Sequence, residues 1–439
     1  RSRHRTCSLA NRSPFHDSGL TMPAFRLLHT SDWHLGALFH DQARDQEEQR
    51  ALDGVVALAQ QEAVDAVVVA GDVFDSVNPS AAAQARYYHT LVRLVKDAGV
   101  GCVLLIGGNH DQGLRLDGPR AVLGTLRVHV RGQLLRESDP ADVVVPIQGR
   151  RGDTVGWAAL VPYLRDTDVA SIPLGVSAQV LADRQAEALT ARLAAVRQAL
   201  VAQAQGLPMV AVTHTFAAGG QIGSTERPVY AEDVVGRLSR ADISPLGNGC
   251  AYVALGHLHR SQRVSGQDHW RYCGSLLPMA MDETSSARQV LLADIPADGG
   301  PAQVRGVPLV GGRRYARLQG DIPTIHGTIA GLPEAVPTEL EPWCDVTLNL
   351  ATADPGLVRE LETRIAARGW RALAVRRQAV AATASVWTTG SAPEHADLHQ
   401  LTPQEVFLEV AKAQGTELTP ELIEDFAQLL AGVTSRDGS

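Results

Sequence analysis

No run of about 18 apolar residues occurs in the sequence, so no membrane-spanning helix and no membrane partner are expected. The apolar stretches it does have, such as Ala66 to Ala70, have the length of strands. Cysteine is sparse: Cys7, Cys102, Cys250, Cys273 and Cys344 lie far apart without a CxxC spacing, which argues against a disulfide framework or a thiolate zinc site. A reducing cytoplasm fits that usage. Positive charge is also short. The formal net charge is -8, so a polyanionic partner must be held by a local basic surface or by bound cations. The polar residues 1–21 lack an apolar signal core, and Met22 directly precedes the first strand-like segment, which makes residues 1–21 an expected disordered or non-native extension.

What is present reads as a layered α/β protein. With 439 residues, 45% of them hydrophobic, the chain has material for at least two cores. From Phe25 to Ile295 short β-branched runs alternate with helical patterns. Strands are expected at Phe25–His29, Ala66–Ala70, Gly101–Ile106, Met209–Thr213, Ala251–Leu255, His269–Cys273 and Gln289–Asp294, with helices near 43–63, 80–98 and 178–205. Pro296, Gly299, Gly300 and Pro301 mark a boundary. The expected division is a main domain over 22–295, a smaller α/β cap over 296–382, a linker over 383–399 and a helical partner-binding motif over 400–439. The cap contains a β-α-β pattern from Asp345 to Val375, and each terminal helix opens with a Thr-Pro pair suited to capping.

Five segments place oxygen or imidazole groups just after expected strands: Ser31-Asp32-Trp33-His34, Gly71-Asp72, Gly107-Gly108-Asn109-His110-Asp111, Thr213-His214-Thr215 and Gly256-His257-Leu258-His259. Alone, each piece is weak, since a Gly-Asp is usually a turn and a lone strand-end His usually structural. Together they are specific, because ligands collect at the carboxyl edge of parallel strands. Asp32, His34, Asp72, Asn109, His214, His257 and His259 suffice for two divalent ions if Asp72 bridges them. The mixed oxygen and nitrogen set without sulfur suits Mn²⁺, Fe²⁺ or Zn²⁺. Two dications outweigh the carboxylates of Asp32 and Asp72, and the surplus would attract a phosphodiester and stabilise charge developing at phosphorus. His110 is the expected catalytic residue, for leaving-group protonation or charge stabilisation, with Asp111 orienting its ring. Gly107 and Gly108 are expected to permit a sharp turn.

In this order the segments D-x-H, G-D, G-N-H-D, H and G-H-x-H resemble the calcineurin-like metallophosphoesterase superfamily. Within it the chain is similar to the bacterial SbcD nuclease family, on Gly71-Asp72-Val73-Phe74-Asp75, Tyr252 to Arg260, Tyr272-Cys273-Gly274-Ser275, Pro278, Asp282-Glu283 and Leu401 to Phe407. The resemblance implies a metallophosphoesterase sandwich with a cap. It also implies that Asp32, His34, Asp72 and His259 hold one ion and Asp72, Asn109, His214 and His257 the other. Asp75 stands where some relatives carry a histidine. The resemblance further implies a manganese-dependent double-strand exonuclease and hairpin or single-strand endonuclease acting in DNA repair, a homodimer, a nucleoid-associated cytoplasmic location and an SbcC-like coiled-coil ABC-type ATPase gripped by the C-terminal helices. The stripe Tyr87, Tyr88, Leu91, Leu94, Val95 is a candidate dimer face, and Arg313, Arg314, Arg317, Arg376 and Arg377 are candidate phosphate contacts. Two other readings share part of the pattern. A stand-alone phosphodiesterase for small or cyclic diesters would need neither cap nor terminal helices, and a non-catalytic scaffold would show degenerate ligand positions, of which there are none.

Overall fold

The computed structural model describes residues 23–171, 177–217, 241–349 and 355–378. They fall in one compact unit ending at Ala379; the expected extension 1–21, linker 383–399 and helical motif 400–439 lie outside the described residues. In chain order, β1 (Pro23–Thr30) leads through a small hairpin, β2 (Leu38–Phe39) and β3 (Gln42–Ala43), into α1 (Asp45–Gln61). Next come β4 (Ala66–Ala70), α2 (Ala81–Lys96), β5 (Cys102–Ile106), the short α3 (Gly113–Asp117) and α4 (Arg120–Gly124), and β6 (Val128–Arg131). The second half holds β7 (Val144–Gln148), β8 (Thr154–Val161), α5 (Asp166–Val169), α6 (Ala178–Ala204), β9 (Met209–His214) and α7 (Ser244–Gly247). It closes with β10 (Tyr252–Gly256), β11 (Gln262–Val264), β12 (Gln267–Tyr272), β13 (Gln289–Pro296) and β14 (Gln303–Pro308).

Two six-stranded sheets result, in the orders β14-β13-β1-β4-β5-β6 and β11-β12-β10-β9-β8-β7. Strands β1, β4, β5 and β6 run parallel in the first, and β12, β10, β9 and β8 in the second. Parallel strands need crossovers, and the crossover helices cover the outer faces. Leu52 and Val55 of α1 and Leu91 and Leu94 of α2 pack on Val67 and Leu105, while Leu193, Val196 and Leu200 of α6 pack on Ala211 and Leu255. The inner faces meet in a third cluster, where Leu27, Val68 and Leu104 face Leu160, Val212 and Ala254. The architecture is therefore an α/β/β/α sandwich. Every residue of β4, β5 and β10 is buried, which is why these strands read as unbroken apolar runs rather than alternating ones. Among the described residues no helix is long and apolar enough to cross a membrane.

Two expectations need amendment. The main body does not stop at Ile295, because β14 pairs antiparallel with β13 and carries the first sheet on to Pro308. The stripe on α2 is mostly core: Tyr87, Leu91 and Leu94 are buried and Val95 is half-buried, leaving Tyr88 exposed beside Val92, which lies outside the stripe. After β14, Val310 is exposed and Gly311 takes a left-handed φ of 87°, beside Gly312. A second, smaller α/β element follows: β15 (Tyr315–Gly320), α8 (Ile322–Gly331), β16 (Trp343–Asn349), α9 (Pro355–Ala367) and β17 (Arg371–Gln378). Its three strands are parallel in the order β15-β16-β17 and enclose a core of Leu318, Ile325, Ile329, Val346, Leu361 and Ile365.

Candidate metal centre

The carboxyl ends of β1, β4 and β5 in one sheet and of β9 and β10 in the other lie at a common edge, and their side chains meet there. Ligand-capable atoms of Asp32, His34 and His259 lie within 4.8 Å of one another, as do those of Asp32, Asp72 and His214 and those of His34, Asp72 and His110. Asp72 Oδ2 sits 3.6 Å from His34 Nε2 and 3.4 Å from His214 Nε2, so one carboxylate touches both histidine groups. Asn109 Oδ1 lies 3.0 Å from both His214 Nε2 and His257 Nδ1. The seven expected ligands thus lie in one continuous cluster, linked through Asp32, Asp72 and Asn109.

Backbone pairing explains why the loops hold this shape. Asp32 and His34 donate their N–H groups to the carbonyls of Gly71 and Asp72, and Leu35 donates to Val73, each at 3.0 Å. Trp33, buried, anchors the same loop by donating to Thr30 Oγ1. Asp32, His34, Asp72 and His257 are non-glycine residues at positive φ, of 50°, 44°, 47° and 100°. Such backbone costs about 1–3 kcal/mol per residue and persists only where surroundings enforce it, commonly at functional sites. His214 donates from Nδ1 to the carbonyl of Ala70 at 2.8 Å, which leaves Nε2 for the centre.

The centre carries the electrostatic marks of a cation site. Asp32 Oδ2 and His34 Nε2 are buried without a hydrogen-bond partner, an arrangement that costs free energy unless something else satisfies them. Burial alone would push Asp72 up, yet His214 and His34 beside it hold its carboxyl well below the usual range. Burial lowers His214, but Asp72 and Asp32 outweigh it and raise the imidazole to about 9. Burial, with His214 close by, lowers His257 to about 3. Carboxylate and imidazole donors without sulfur, with lone pairs aimed at shared space, fit divalent metal ions.

His110 sits at the rim, half-buried. Its backbone N–H donates to Asp72 Oδ1 at 2.9 Å and its ring packs edge-on against His34 with centroids 4.8 Å apart. Its Nδ1 donates to the carbonyl of Asp75 at 2.9 Å, so Nε2 is the nitrogen left for chemistry. Asp111 does not orient this ring. Its carboxylate accepts backbone N–H groups from Val73, Phe74 and Gly108 at 2.9–3.0 Å and clips the Asp72 loop to the Asn109 loop. Burial, with Asp72 adding to it, raises Asp111 to about 6. The glycines act by close approach rather than by a left-handed turn: a Cβ on Gly108 would stand 2.1 Å from Asp72 Oδ1, and one on Gly107 2.5 Å from the carbonyl of Gly132.

Two carboxylates to which the sequence assigned no role reach the site. Glu283 Oε1 lies 3.4 Å from His259 Nδ1, and Asp75 Oδ1 lies 3.5 Å from His34 Nδ1. Both are placed to fix imidazole orientation. Of the candidate phosphate contacts, Arg313 is committed elsewhere, stacked 3.6 Å above Trp343 and paired with Glu47. Arg314 pairs with Glu339 and Arg376 with Asp345, while Arg317 is exposed.

Comparison with known proteins agrees with this geometry. Residues 25–261 match the calcineurin-like phosphoesterase family, and residues 313–415 match the Type 5 capsule protein repressor C-terminal domain. The chain is 34% identical over 297 residues to the SbcD subunit of the SbcCD nuclease from Rhodobacter capsulatus, covering 65% of this chain and 71% of that protein. It is 32% identical over 332 residues to the Escherichia coli SbcD protein, covering 73% and 75%. To the Bacillus subtilis SbcD protein it is 34% identical over 277 residues, covering 61% and 66%. With the family match spanning residues 25–261 and relatives at 32–34% identity matched over most of their length, the chain belongs to the calcineurin-like phosphoesterases and, among them, to the SbcD family of nuclease subunits.

Proposed function

We propose that this chain hydrolyses DNA phosphodiester bonds at a two-ion centre, with manganese as the metal. In this reading Asp32, His34, Asp72 and His259 hold one ion and Asp72, Asn109, His214 and His257 the other. The observation that carries it is Asp72 Oδ2, poised between His34 and His214 next to the unsatisfied Asp32 Oδ2. A bound pair of divalent ions supplies Lewis-acid stabilisation of phosphoryl charge and a nucleophile usable at neutral pH. The chain's own residues do the rest. Asp32 and Asp72 set the charge of the site, and Glu283 and Asp75 restrain the imidazoles of His259 and His34. His110 keeps its Nδ1 proton on the Asp75 carbonyl and uses Nε2 to protonate the leaving oxygen or to donate to the phosphoryl group.

By family, the chain acts as a double-strand exonuclease and as an endonuclease on hairpins and single strands, in cytoplasmic, nucleoid-associated repair. It does so as a homodimer with a coiled-coil ABC-type ATPase gripped by residues 400–439. Residues from about 309 to 382 form the cap that positions DNA. The test is degradation of linear duplex DNA with Mn²⁺, alone and with the ATPase, comparing the parent chain with His110→Ala. The variant should lose about a hundred-fold or more in rate while retaining its metal content. An unchanged rate removes His110 from the chemistry, and turnover of small diesters with no DNA cleavage under either condition defeats the nuclease reading.

A further inference from the structure

Three charged residues at the start of α1, Arg44, Glu47 and Glu48, are buried, at 2%, 1% and 2% exposure. Acidic groups favour a helix N-terminus, but that role needs no burial. Asp45 fills it from an exposed position. The three buried groups face in different directions. Glu48 accepts the backbone N–H of Gly36 at 2.9 Å, two residues beyond the ligand His34, and pairs with Arg86 at 3.0 Å. Arg44 donates to the carbonyl of Pro278 at 2.5 Å and lies 3.5 Å from Met279 Sδ. Pro278 and Met279 open the loop in which Glu283 Oε2 accepts from Met279 N at 3.0 Å while Oε1 faces His259. Glu47 turns to the cap, accepting from the Tyr315 hydroxyl at 2.9 Å and lying 3.5 Å from Arg313 Nε.

The surrounding contacts follow the same line. The β2–β3 hairpin joins the His34 loop to α1, and its Phe39 is buried with Met281 and the cap's Trp343 in one apolar cluster that Tyr315 and Leu373 flank. Arg371 and Arg376 of β17 reach Gln42 and His40 of that hairpin at 3.2 and 2.9 Å. Between body and cap the chain passes through Gly311 and Gly312, where an added Cβ would meet nothing within 4 Å.

We propose that Arg44, Glu47 and Glu48 are positioning residues for the metal centre, and that the cap, seated on Glu47 through Tyr315 and Arg313, braces the loops carrying His34 and His259. The cap then sets ligand geometry as well as contacting substrate. This rests on the two-ion reading above, and its test keeps the two apart. Tyr315→Phe removes one hydroxyl while keeping the ring packed on Phe39 and Trp343; Glu47→Gln keeps an acceptor but removes the charge. Mn²⁺ affinity is measured by titration calorimetry. Hydrolysis of bis(p-nitrophenyl) phosphate, which lacks a nucleic-acid chain, is followed beside cleavage of duplex DNA.

The expected result is an affinity for Mn²⁺ lowered by roughly ten- to hundred-fold, the range for disturbing groups that orient ligands. Small-diester turnover should fall at limiting Mn²⁺ and recover at saturating Mn²⁺, with KM for DNA little changed. If Tyr315→Phe binds Mn²⁺ and turns over the small diester like the parent, with only KM for DNA raised, the brace is refuted and the cap merely holds substrate. Should Glu47→Gln fail to fold, Tyr315→Phe decides alone. A parent chain that binds Mn²⁺ but cleaves neither substrate defeats the nuclease reading and leaves the affinity comparison intact as the test of the brace.

Discussion

A methyl group added at Gly108 would stand 2.1 Å from Asp72 Oδ1 and 2.3 Å from its backbone nitrogen, against the carboxylate that lies between His34 and His214. Gly108→Ala must displace either Asp72 or the Asn109 loop. It should therefore weaken metal binding by at least about ten-fold, as loss of supporting contacts does. Gly124, where nothing lies within 4 Å, is the matched control. It ends α4, so Gly124→Ala should leave metal affinity alone and change stability by no more than about 1 kcal/mol. Calorimetric titration of both variants separates a site effect from a general cost of substitution. At this scale the sequence was most informative where chemistry restricts residue type. The seven candidate ligands and His110 stand out because ordinary turns do not need Asp, Asn and His in that order. Asp111 was legible as important but not in its partner: adjacency to His110 pointed to a ring contact, whereas its carboxylate caps three backbone N–H groups. Glu283 was hidden because its tie to His259 spans 24 residues of chain.

Elements showed the same division between local and distant causes. β4, β5, β9 and β10 were plain because both faces are buried, α1 and α2 because their periodicity is strong, and α6 because a long Ala/Gln/Arg-rich run favours helix. β14 was not: its exposed and half-exposed residues include a glycine and end in proline, so it looks like a turn, and only pairing with β13 makes it a strand. α8 was missed as well. Its Ile, Thr and Gly content disfavours helix, but Asp321 caps Thr324 N, a proline sits in the first turn, and Ile325 and Ile329 are buried. For α2 the apolar stripe alone could not separate core from interface, and the structure assigns Tyr87, Leu91 and Leu94 to the core. If the proposed homodimer uses this helix, the contact must come from exposed Tyr88 and Val92. Val92→Asp should then halve the mass seen by light scattering while circular dichroism stays the same; an unaltered mass moves the dimer surface away from α2.

At the scale of the whole molecule, the proposed ligands are divided between the sheets. β1, β4 and β5 bring Asp32, His34, Asp72 and Asn109, whereas β9 and β10 bring His214, His257 and His259. Ions bound there stabilise only the state in which both sheets are in place. At a hundred-fold excess over the dissociation constant the linkage is worth about 2.7 kcal/mol. Adding a chelator should accordingly lower the thermal midpoint by several degrees, read by calorimetry; an identical midpoint with and without metal would show that the site contributes nothing to holding the sandwich. The apolar layer between the sheets persists without metal, so the loss should be uneven in space. Stripped of its ions, the sandwich resembles a book with its clasp undone, and amide exchange should quicken first along the edge formed by Gly71, Gly256 and their neighbours, while the pages near Phe25 and Ile147 stay shut.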